Sequence, residues 1–253
     1  MILMHNSPEM TMPWLEPLEC SIKTGGVPFK IVNNCDLFSY MDKNKDFDVL
    51  FSKAMDGVEH IVGTNYLTDI DWGKFKRIID VGGSKGSKSI AILKANSELN
   101  TVVFDRPQII ETARDFWSSK QDKDVLNRMK FIGGDILDSL PCAISDEDVC
   151  FFMAVFHTFS DEDCKRIFFN LQQAIGSYSP HIIVADAVAE ESNINEITAS
   201  MDMQMLIGSE GRERTLGEWS NIISDTGFNI IQVIDMRALG KHIVIQQQQY
   251  TNT

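Results

Sequence analysis

The amino-acid sequence predicts an α/β fold: a doubly wound, mostly parallel sheet that ends in an antiparallel hairpin. Three observations predict it. Short apolar runs alternate with segments of helical periodicity after Trp72, a glycine-rich turn follows the first run, and two apolar runs lie close together near the C-terminal end. Alternation of strands and helices gives parallel strands joined by right-handed crossovers.

The predicted elements follow in order along the chain. The parallel strands are expected at 77–81, 101–104, 129–132, 149–153 and 181–185, and the helices between them at 87–95, 107–117 and 161–175. A methionine-rich helix at 194–207 and a second helix at 216–226 precede strands at 228–235 and 242–246. These last two strands are close enough in sequence to pair antiparallel at the edge of the sheet.

The N-terminal segment, residues 1–70, is predicted to be separate from the main domain at 71–248. Residues 1 to about 45 are interpreted as irregular because prolines and Gly25–Gly26 interrupt them. From Asp46 onward, apolar residues recur at steps of three and four, as at Phe47, Leu50, Phe51 and Ala54. That spacing predicts one amphipathic helix.

Composition and charge exclude several classes of protein. The 253 residues carry a net charge of −13, which disfavours nucleic acid as a partner. Five scattered cysteines without a CxxC pair argue against structural zinc and predict reduced thiols. The apolar runs are shorter than a membrane span and the first residues lack a signal-peptide pattern, so a cytoplasmic location without membrane association is expected.

The glycine-rich turn at 80–86 (DVGGSKG) joins a predicted strand to a predicted helix. In open α/β sheets ligands bind at this edge, and glycines let the backbone approach them. The spacing fits neither G-x-G-x-x-G nor a P-loop. Asp80 would repel a pyrophosphate and suits a cationic ligand such as a sulfonium amino acid. A tight turn without a ligand remains the alternative.

Two further acids follow predicted strands. Asp105 is placed to accept the hydroxyls of a ribose, and Asp135 to reach an adenine amino group. Either acid alone would more often be a helix cap or a solvated loop residue. Three acids at the ends of three consecutive strands indicate a ligand site together.

Five stretches carry a resemblance to a known family. They are 78–86 (IIDVGGSKG), 103–107 (VFDRP), 133–135 (GGD), 156–162 (FHTFSDE) and 211–215 (GRERT). In order and spacing, over roughly residues 20 to 246, the chain resembles the O-methyltransferases that include plant caffeic acid and flavonoid enzymes and animal acetylserotonin enzymes.

The resemblance implies S-adenosyl-L-methionine as cofactor and His157 as general base, flanked by Asp186 and Glu213. The residues expected to form the cofactor site are Asp80, Gly82, Gly83, Asp105, Arg106, Asp135, Ile136 and Met153. No metal site is expected. The predicted substrate is a small aromatic molecule with a hydroxyl group. A phenol has a pKa of about 10, so it needs a base to remove its proton at neutral pH, and histidine suits that role.

Other functions stay open. The chain could be a catalytically weak or inactive paralogue that binds cofactor or a protein partner, or an N-methyltransferase. Met201, Met203 and Met205 could line an aromatic pocket, or simply fill a buried helix.

Departures from the family pattern keep these alternatives open. Ser84 and Lys85 change the glycine turn, Thr158 and Phe159 follow the histidine, and Asp186 replaces a usual glutamate. Family members also usually carry an N-terminal dimerisation domain. The sequence predicts that this domain is missing and that residues 1–70 are a remnant of the linker to it. A homodimer remains possible.

Overall fold

A computed structural model describes residues 2–62, 66–119, 123–236 and 240–248. Its helices are α1 (Ile2–His5), α2 (Pro8–Thr11), α3 (Glu16–Thr24), α4 (Pro28–Asn33), α5 (Leu37–Lys43), α6 (Lys45–Val62), α7 (Tyr66–Asp69), α8 (Ser87–Ala95), α9 (Pro107–Ser118), α10 (Lys123–Leu126), α11 (Asp161–Ile175), α12 (Glu196–Gly208) and α13 (Leu216–Asp225). Its strands are β1 (Arg77–Val81), β2 (Asn100–Asp105), β3 (Met129–Gly133), β4 (Asp148–Met153), β5 (His181–Asp186), β6 (Val188–Ala189), β7 (Arg214–Thr215), β8 (Phe228–Asp235) and β9 (Lys241–Gln247).

The main sheet has seven strands in the order β3-β2-β1-β4-β5-β9-β8. The first five are parallel, and β9 pairs antiparallel with both β5 and β8. This confirms the predicted doubly wound sheet with its antiparallel C-terminal pair. The strand order reverses direction between β1 and β4, which is where ligands bind in such sheets.

Both faces of the central strands are buried, as expected for parallel strands covered by helices on each side. Residues on one face, such as Ile79 and Phe152, pack with α11 and α13, while Ile78 and Phe151 pack with Trp72 on the other. Because successive side chains of a strand point to opposite faces, β1 and β4 contribute to both cores. The two cores fix the strand ends that carry the site.

The N-terminal segment corrects one prediction. Residues 1 to about 45 are largely helical, forming α1 to α5, rather than irregular. Pro8, Pro17 and Pro28 lie in the first turns of α2, α3 and α4, where a missing N–H costs nothing and the fixed φ suits a helix. These short helices and α6 share a core of their own, formed by Met4, Met10, Val27, Phe29, Met41, Phe47 and Ala54. The division near residue 70 stays a prediction.

Two searches of the described residues bear on function. No helix in the described ranges is long and apolar enough to cross a membrane. Nor does that part of the chain hold a group of three or more His, Cys, Asp or Glu residues able to bind a metal ion.

Candidate active site

The glycine turn after β1 lies directly against the turn after β4. Gly82 adopts a φ of +71°, and a Cβ at this position would lie 2.6 Å from Cγ2 of Val155. Its backbone N–H donates to the carbonyl of Phe104 at 2.8 Å, which joins the turn to β2. Only glycine fits both the positive φ and the close approach. The turn is thereby fixed between the ends of β2 and β4.

Asp105 at the end of β2 has a carboxylate that backbone groups hold in place. One oxygen accepts the N–H of Ser84 at 2.8 Å and the other accepts the N–H of Arg106 at 2.7 Å. Burial raises the pKa of Asp105, while these two hydrogen bonds and the charge of Arg106 oppose the rise. The carboxylate therefore joins the glycine turn to β2 in a fixed orientation.

Asp80 supports the turn from beneath. Its side chain is buried, and Oδ2 accepts a hydrogen bond from the Ser89 hydroxyl at 2.7 Å. A Cβ on Gly83 would lie 2.6 Å from the same oxygen. This carboxylate thus shapes the backbone of the turn and places a negative charge below it.

Ser84 and Lys85, the two departures within the turn, have well-defined surroundings. Ser84 adopts a φ of +52°, which a non-glycine residue rarely does. The Lys85 ammonium lies 5.7 Å from the centre of the Phe116 ring on α9, and the Trp117 indole donates to the Lys85 carbonyl at 2.6 Å. Lys85 is therefore directed towards α9.

The segment after β3 contributes Asp135 and Ile136. Asp135 is exposed and accepts the N–H of Leu137 at 2.8 Å, while Ile136 is half-buried against the core. The N–H of Gly134 donates to the carbonyl of Asp105 at 3.0 Å, so the two acidic segments are adjacent. Met153, half-buried at the end of β4, packs against the opposite core.

His157 lies in a short 3₁₀ turn after β4, with its side chain 13% exposed. Its Nδ1 is 3.2 Å from Oε1 of Glu213 and 3.9 Å from Oδ1 of Asp186. The first distance is a hydrogen bond and the second is a charge contact. Because Nδ1 faces these carboxylates, it carries the proton, and Nε2 at the opposite edge of the ring is left as the basic nitrogen.

The two carboxylates set the basicity of His157. Burial alone lowers its pKa, but the hydrogen bond to Glu213 and the charges of Asp186 and Glu213 outweigh this effect, so the pKa is raised above 6.5. Burial raises the pKa of Asp186 to about 7, against the opposing charge of His157. Among the described residues, Oδ1 of Asp186 and Oε2 of Glu213 are buried without a hydrogen-bond donor. The site is thus arranged for a positive charge on the imidazole.

A two-stranded ladder brings the acids to the histidine. β6 follows Asp186 and pairs parallel with β7, which follows Glu213. Asp202 on α12 accepts the backbone N–H of Glu213 at 2.9 Å. A Cβ on Gly211 would lie 2.0 Å from the carbonyl oxygen of His157, so this chain crossing requires glycine.

Arg214 binds the loop that carries His157. Its fully buried guanidinium donates to the carbonyls of Phe156 at 3.1 Å and Phe159 at 2.7 Å, and to Asp161 at 2.8 Å. The Phe156 carbonyl also accepts the N–H of Phe159 at 3.0 Å within the short turn, so Arg214 is its second donor. Arg214 therefore holds both sides of His157.

Comparisons with known proteins identify the family of the chain. Residues 16–229 match the model of the O-methyltransferase domain. The chain belongs to the O-methyltransferase domain family. That match includes the glycine turn, the three acids at strand ends and the cluster around His157.

Individual relatives are more distant. A cephaeline 6'-O-methyltransferase of Carapichea ipecacuanha is 28% identical over 90% of this chain and 64% of its own length. An 8-amino-8-demethylriboflavin N,N-dimethyltransferase of Streptomyces davaonensis is 26% identical over 84% of this chain and 60% of its own length. The solved mitomycin 7-O-methyltransferase MmcR has a TM-score of 0.87 at 23% identity, covering 97% of this chain and 70% of that chain. The chain thus spans less than two thirds of these two sequence relatives.

Sequence reasoning within this O-methyltransferase-family chain missed three contributors. It used Arg214 and Gly211 only as parts of a motif, and it overlooked Val155. Arg214 stands among other charged residues, Arg212 and Glu213, so no local signal shows that it is buried. Nothing local distinguishes Gly211, since its constraint comes from a backbone carbonyl 54 residues earlier in the sequence.

Proposed function

We propose that this chain is an S-adenosylmethionine-dependent O-methyltransferase that acts on a small aromatic hydroxyl compound. The observation that carries the proposal is the His157 imidazole, hydrogen-bonded at 3.2 Å to the buried Glu213, with Asp186 at 3.9 Å. This group lies at the end of β4, beside the glycine turn. A base of raised pKa beside a cofactor turn is suited to deprotonating a phenol.

The residues around the glycine turn fit the proposed cofactor. Asp105 offers a carboxylate fixed by two backbone N–H groups, which suits two ribose hydroxyls. Asp135 is exposed on the adjacent segment, as contact with a purine amino group requires. Asp80 places negative charge beneath the turn, where a sulfonium would be stabilised. The side chains of Ile136 and Met153 add apolar surface, and each packs against a different one of the two cores.

When bound, the cofactor supplies a methyl group on a positively charged sulfur. Nε2 of His157 would accept the phenolic proton, which leaves the oxygen able to take the methyl group. Nδ1 then belongs to an imidazolium, whose charge Glu213 and Asp186 stabilise. Because both carboxylates are buried and already oriented, little reorganisation is needed during the reaction.

An aromatic substrate agrees with the groups near His157. The Phe38 and Phe159 rings stack with centroids 6.4 Å apart, which places flat apolar surface beside the histidine loop. Of the three methionines on α12, Met203 is exposed, while Met201 and Met205 are half-buried. The sequence relatives include a cephaeline 6'-O-methyltransferase.

One observation favours N-methylation as a second candidate. The riboflavin-related N,N-dimethyltransferase shares 26% identity with the chain. A neutral aryl amine does not lose its proton before attack, so it does not need a base as strongly as a phenol does. The intact arrangement of His157 with two acids therefore supports the oxygen acceptor.

Transfer of a labelled methyl group from S-adenosylmethionine to a panel of phenols, hydroxyindoles and aryl amines tests the proposal. We expect transfer to oxygen, located by fragmentation of the product. The methyl ether of each phenol is the matched control and should remain unlabelled. Binding of cofactor without transfer to any acceptor would support an inactive paralogue, and transfer to nitrogen alone would support the second candidate.

A further inference from the structure

The Arg106 side chain is held by the N-terminal helices. Its Nη1 is 2.6 Å from Oδ1 of Asp42 on α5, and its Nη2 is 3.7 Å from Oδ1 of Asp48 on α6. Gln108 donates to the same Asp42 oxygen at 2.6 Å. A single planar guanidinium therefore connects two helices to the end of β2, a geometry that an ammonium group does not reproduce.

An aromatic ring continues this connection to the histidine loop. The Arg106 guanidinium lies 5.3 Å from the centre of the Phe38 ring. The Phe38 ring also stacks with the ring of Phe159, at an interplanar angle of 20°. Phe159 is two residues after His157, and its carbonyl accepts a hydrogen bond from Arg214 at 2.7 Å. Phe38 thus contacts both halves of the site.

The backbone of Arg106 belongs to the cofactor turn. Its N–H donates at 2.7 Å to Asp105, the residue proposed to bind the ribose. The same residue therefore fixes the ribose acid through its main chain and the N-terminal helices through its side chain. A shift of Asp105 or of the N-terminal helices therefore moves Arg106 and, through it, the other contact.

The positive charge of Arg106 matters because two carboxylates, Asp42 and Asp48, lie beside it. Burial raises the pKa of Asp48; the charge of Arg106 opposes this rise and Asp42 adds to it. Without the guanidinium, two carboxylates from adjacent helices would face each other in a chain of net charge −13. The repulsion between these two carboxylates would then be uncompensated, and the charge contact that holds both helices to the end of β2 would be lost.

We infer that Arg106 is a positioning residue that couples occupation of the cofactor turn to docking of α5 and α6 over the active site. Its side chain acts through Asp42, Asp48 and Phe38, and not as a ligand of the cofactor. The coupling rests on the proposed function, whereas the docking contact is a property of the chain alone. By linkage, docking of the helices strengthens cofactor binding as much as the cofactor strengthens docking.

Hydrogen exchange of peptides from residues 37–55 tests the inference, with and without saturating S-adenosylhomocysteine. In Arg106→Gln we expect exchange of these peptides to rise roughly fivefold to tenfold without ligand, as for loss of a local docking contact. In the wild-type protein the ligand should slow exchange of this segment. In the variant it should bind more weakly and no longer slow that exchange. Arg166→Gln, which removes an exposed pair with Asp138 at 3.2 Å, is the matched control.

The exchanged charge pair Arg106→Asp with Asp42→Arg should restore part of the protection, which a general loss of stability would not. Unchanged exchange in Arg106→Gln would overturn the docking role. Equal protection by ligand in the wild-type and variant proteins would overturn the coupling. Failure of the wild-type protein to bind S-adenosylhomocysteine would overturn the proposed function and the coupling together, while exchange without ligand would still decide the docking role.

Discussion

The two halves of the active site are built in different ways. At the ends of β1 and β2, Asp105 accepts two backbone N–H groups and the glycine turn donates to the Phe104 carbonyl, while the Ser89 hydroxyl binds Asp80. At the ends of β4 and β5, the buried side chains of Glu213, Asp186 and Arg214 bind the ring and the backbone of the histidine loop. Ser84 and Asp105 in the first half are 21 residues apart, whereas in the second half Asp186 is 30 residues from Phe156 and Glu213 is 56 residues from His157.

The difference has an energetic consequence. Two backbone hydrogen bonds satisfy both oxygens of the Asp105 carboxylate, although burial still raises the pKa of this residue. In the histidine half, two buried carboxylate oxygens have no donor among the described residues, an arrangement that opposes folding. The same arrangement stabilises an imidazolium without reorganisation. We therefore expect substitutions in the histidine half to change turnover and stability, and those in the turn to change affinity.

Among the residues that support His157, the largest effect on turnover should come from Glu213→Gln. The amide keeps the size of the side chain but removes the charge that orients and stabilises the imidazole, so turnover should fall roughly 10²- to 10³-fold. Glu210→Gln, at an exposed residue on the same loop, should retain turnover. Steady-state kinetics on an accepted phenol checks both. Equal turnover in the two variants would contradict the role of Glu213.

Arg214→Met should have the largest effect on folding. It removes the guanidinium donor of the Phe159 carbonyl and the second donor of the Phe156 carbonyl, and a buried group left unsatisfied costs about 1–3 kcal/mol. Urea denaturation should therefore show a lower free energy of unfolding. Arg212→Met is the control, since Arg212 is exposed and, among the described residues, pairs with Asp161 and Glu218; exposed pairs contribute about 0–1 kcal/mol. Similar losses in both variants would contradict the role of Arg214.

Gly211→Ala should have a smaller effect on folding. The added methyl would meet the His157 carbonyl at 2.0 Å, so the backbone must move, at about 1–3 kcal/mol for overpacking. Turnover should fall as well, because the displaced atom belongs to the histidine loop. Gly57→Ala on α6, where nothing lies within 4 Å, should instead stabilise the protein by about 0.5–1 kcal/mol. A neutral Gly211→Ala would show that the loops separate easily.

Asp105→Asn tests the other half of the comparison. An amide accepts through only one oxygen and carries no charge, so affinity for S-adenosylhomocysteine should fall by about tenfold or more, in line with a charged hydrogen bond of about 1.5–3 kcal/mol. The free energy of unfolding should change less than in Arg214→Met. Asp138→Asn, at an exposed residue near the same edge, is the control. Calorimetric titration measures both affinities, and unaltered binding in Asp105→Asn would contradict the assignment.

The smallest effect concerns pH. Turnover requires neutral His157, so it should rise with pH through the pKa of this residue, which lies above 6.5. Asp186→Asn removes a negative charge that favours the imidazolium, so the rising limb should move to lower pH. A pH profile of kcat in wild-type and variant proteins measures the shift. A shift to higher pH would mean that Asp186 does not act on the imidazole by its charge.

The contrast between local constraints and contacts of distant segments also explains which features the sequence predicts well. β1 and β8 have the bounds expected from their apolar runs, because burial of a run defines a strand locally. The residues of the glycine turn and Asp105 are recognisable because their constraints are local. The helices before residue 45 were missed because prolines were interpreted as interruptions rather than as helix starts. Gly211 and the β6–β7 ladder depend on contacts between distant segments, which no local pattern encodes.

The central claim is that one half of the site binds the cofactor and the other half transfers the proton. The most direct measurement compares S-adenosylhomocysteine affinity with single-turnover methyl transfer to an accepted phenol in His157→Ala. We expect affinity within about twofold of wild type and a loss of transfer of roughly 10²- to 10⁴-fold. Transfer at the wild-type rate by His157→Ala would contradict the account.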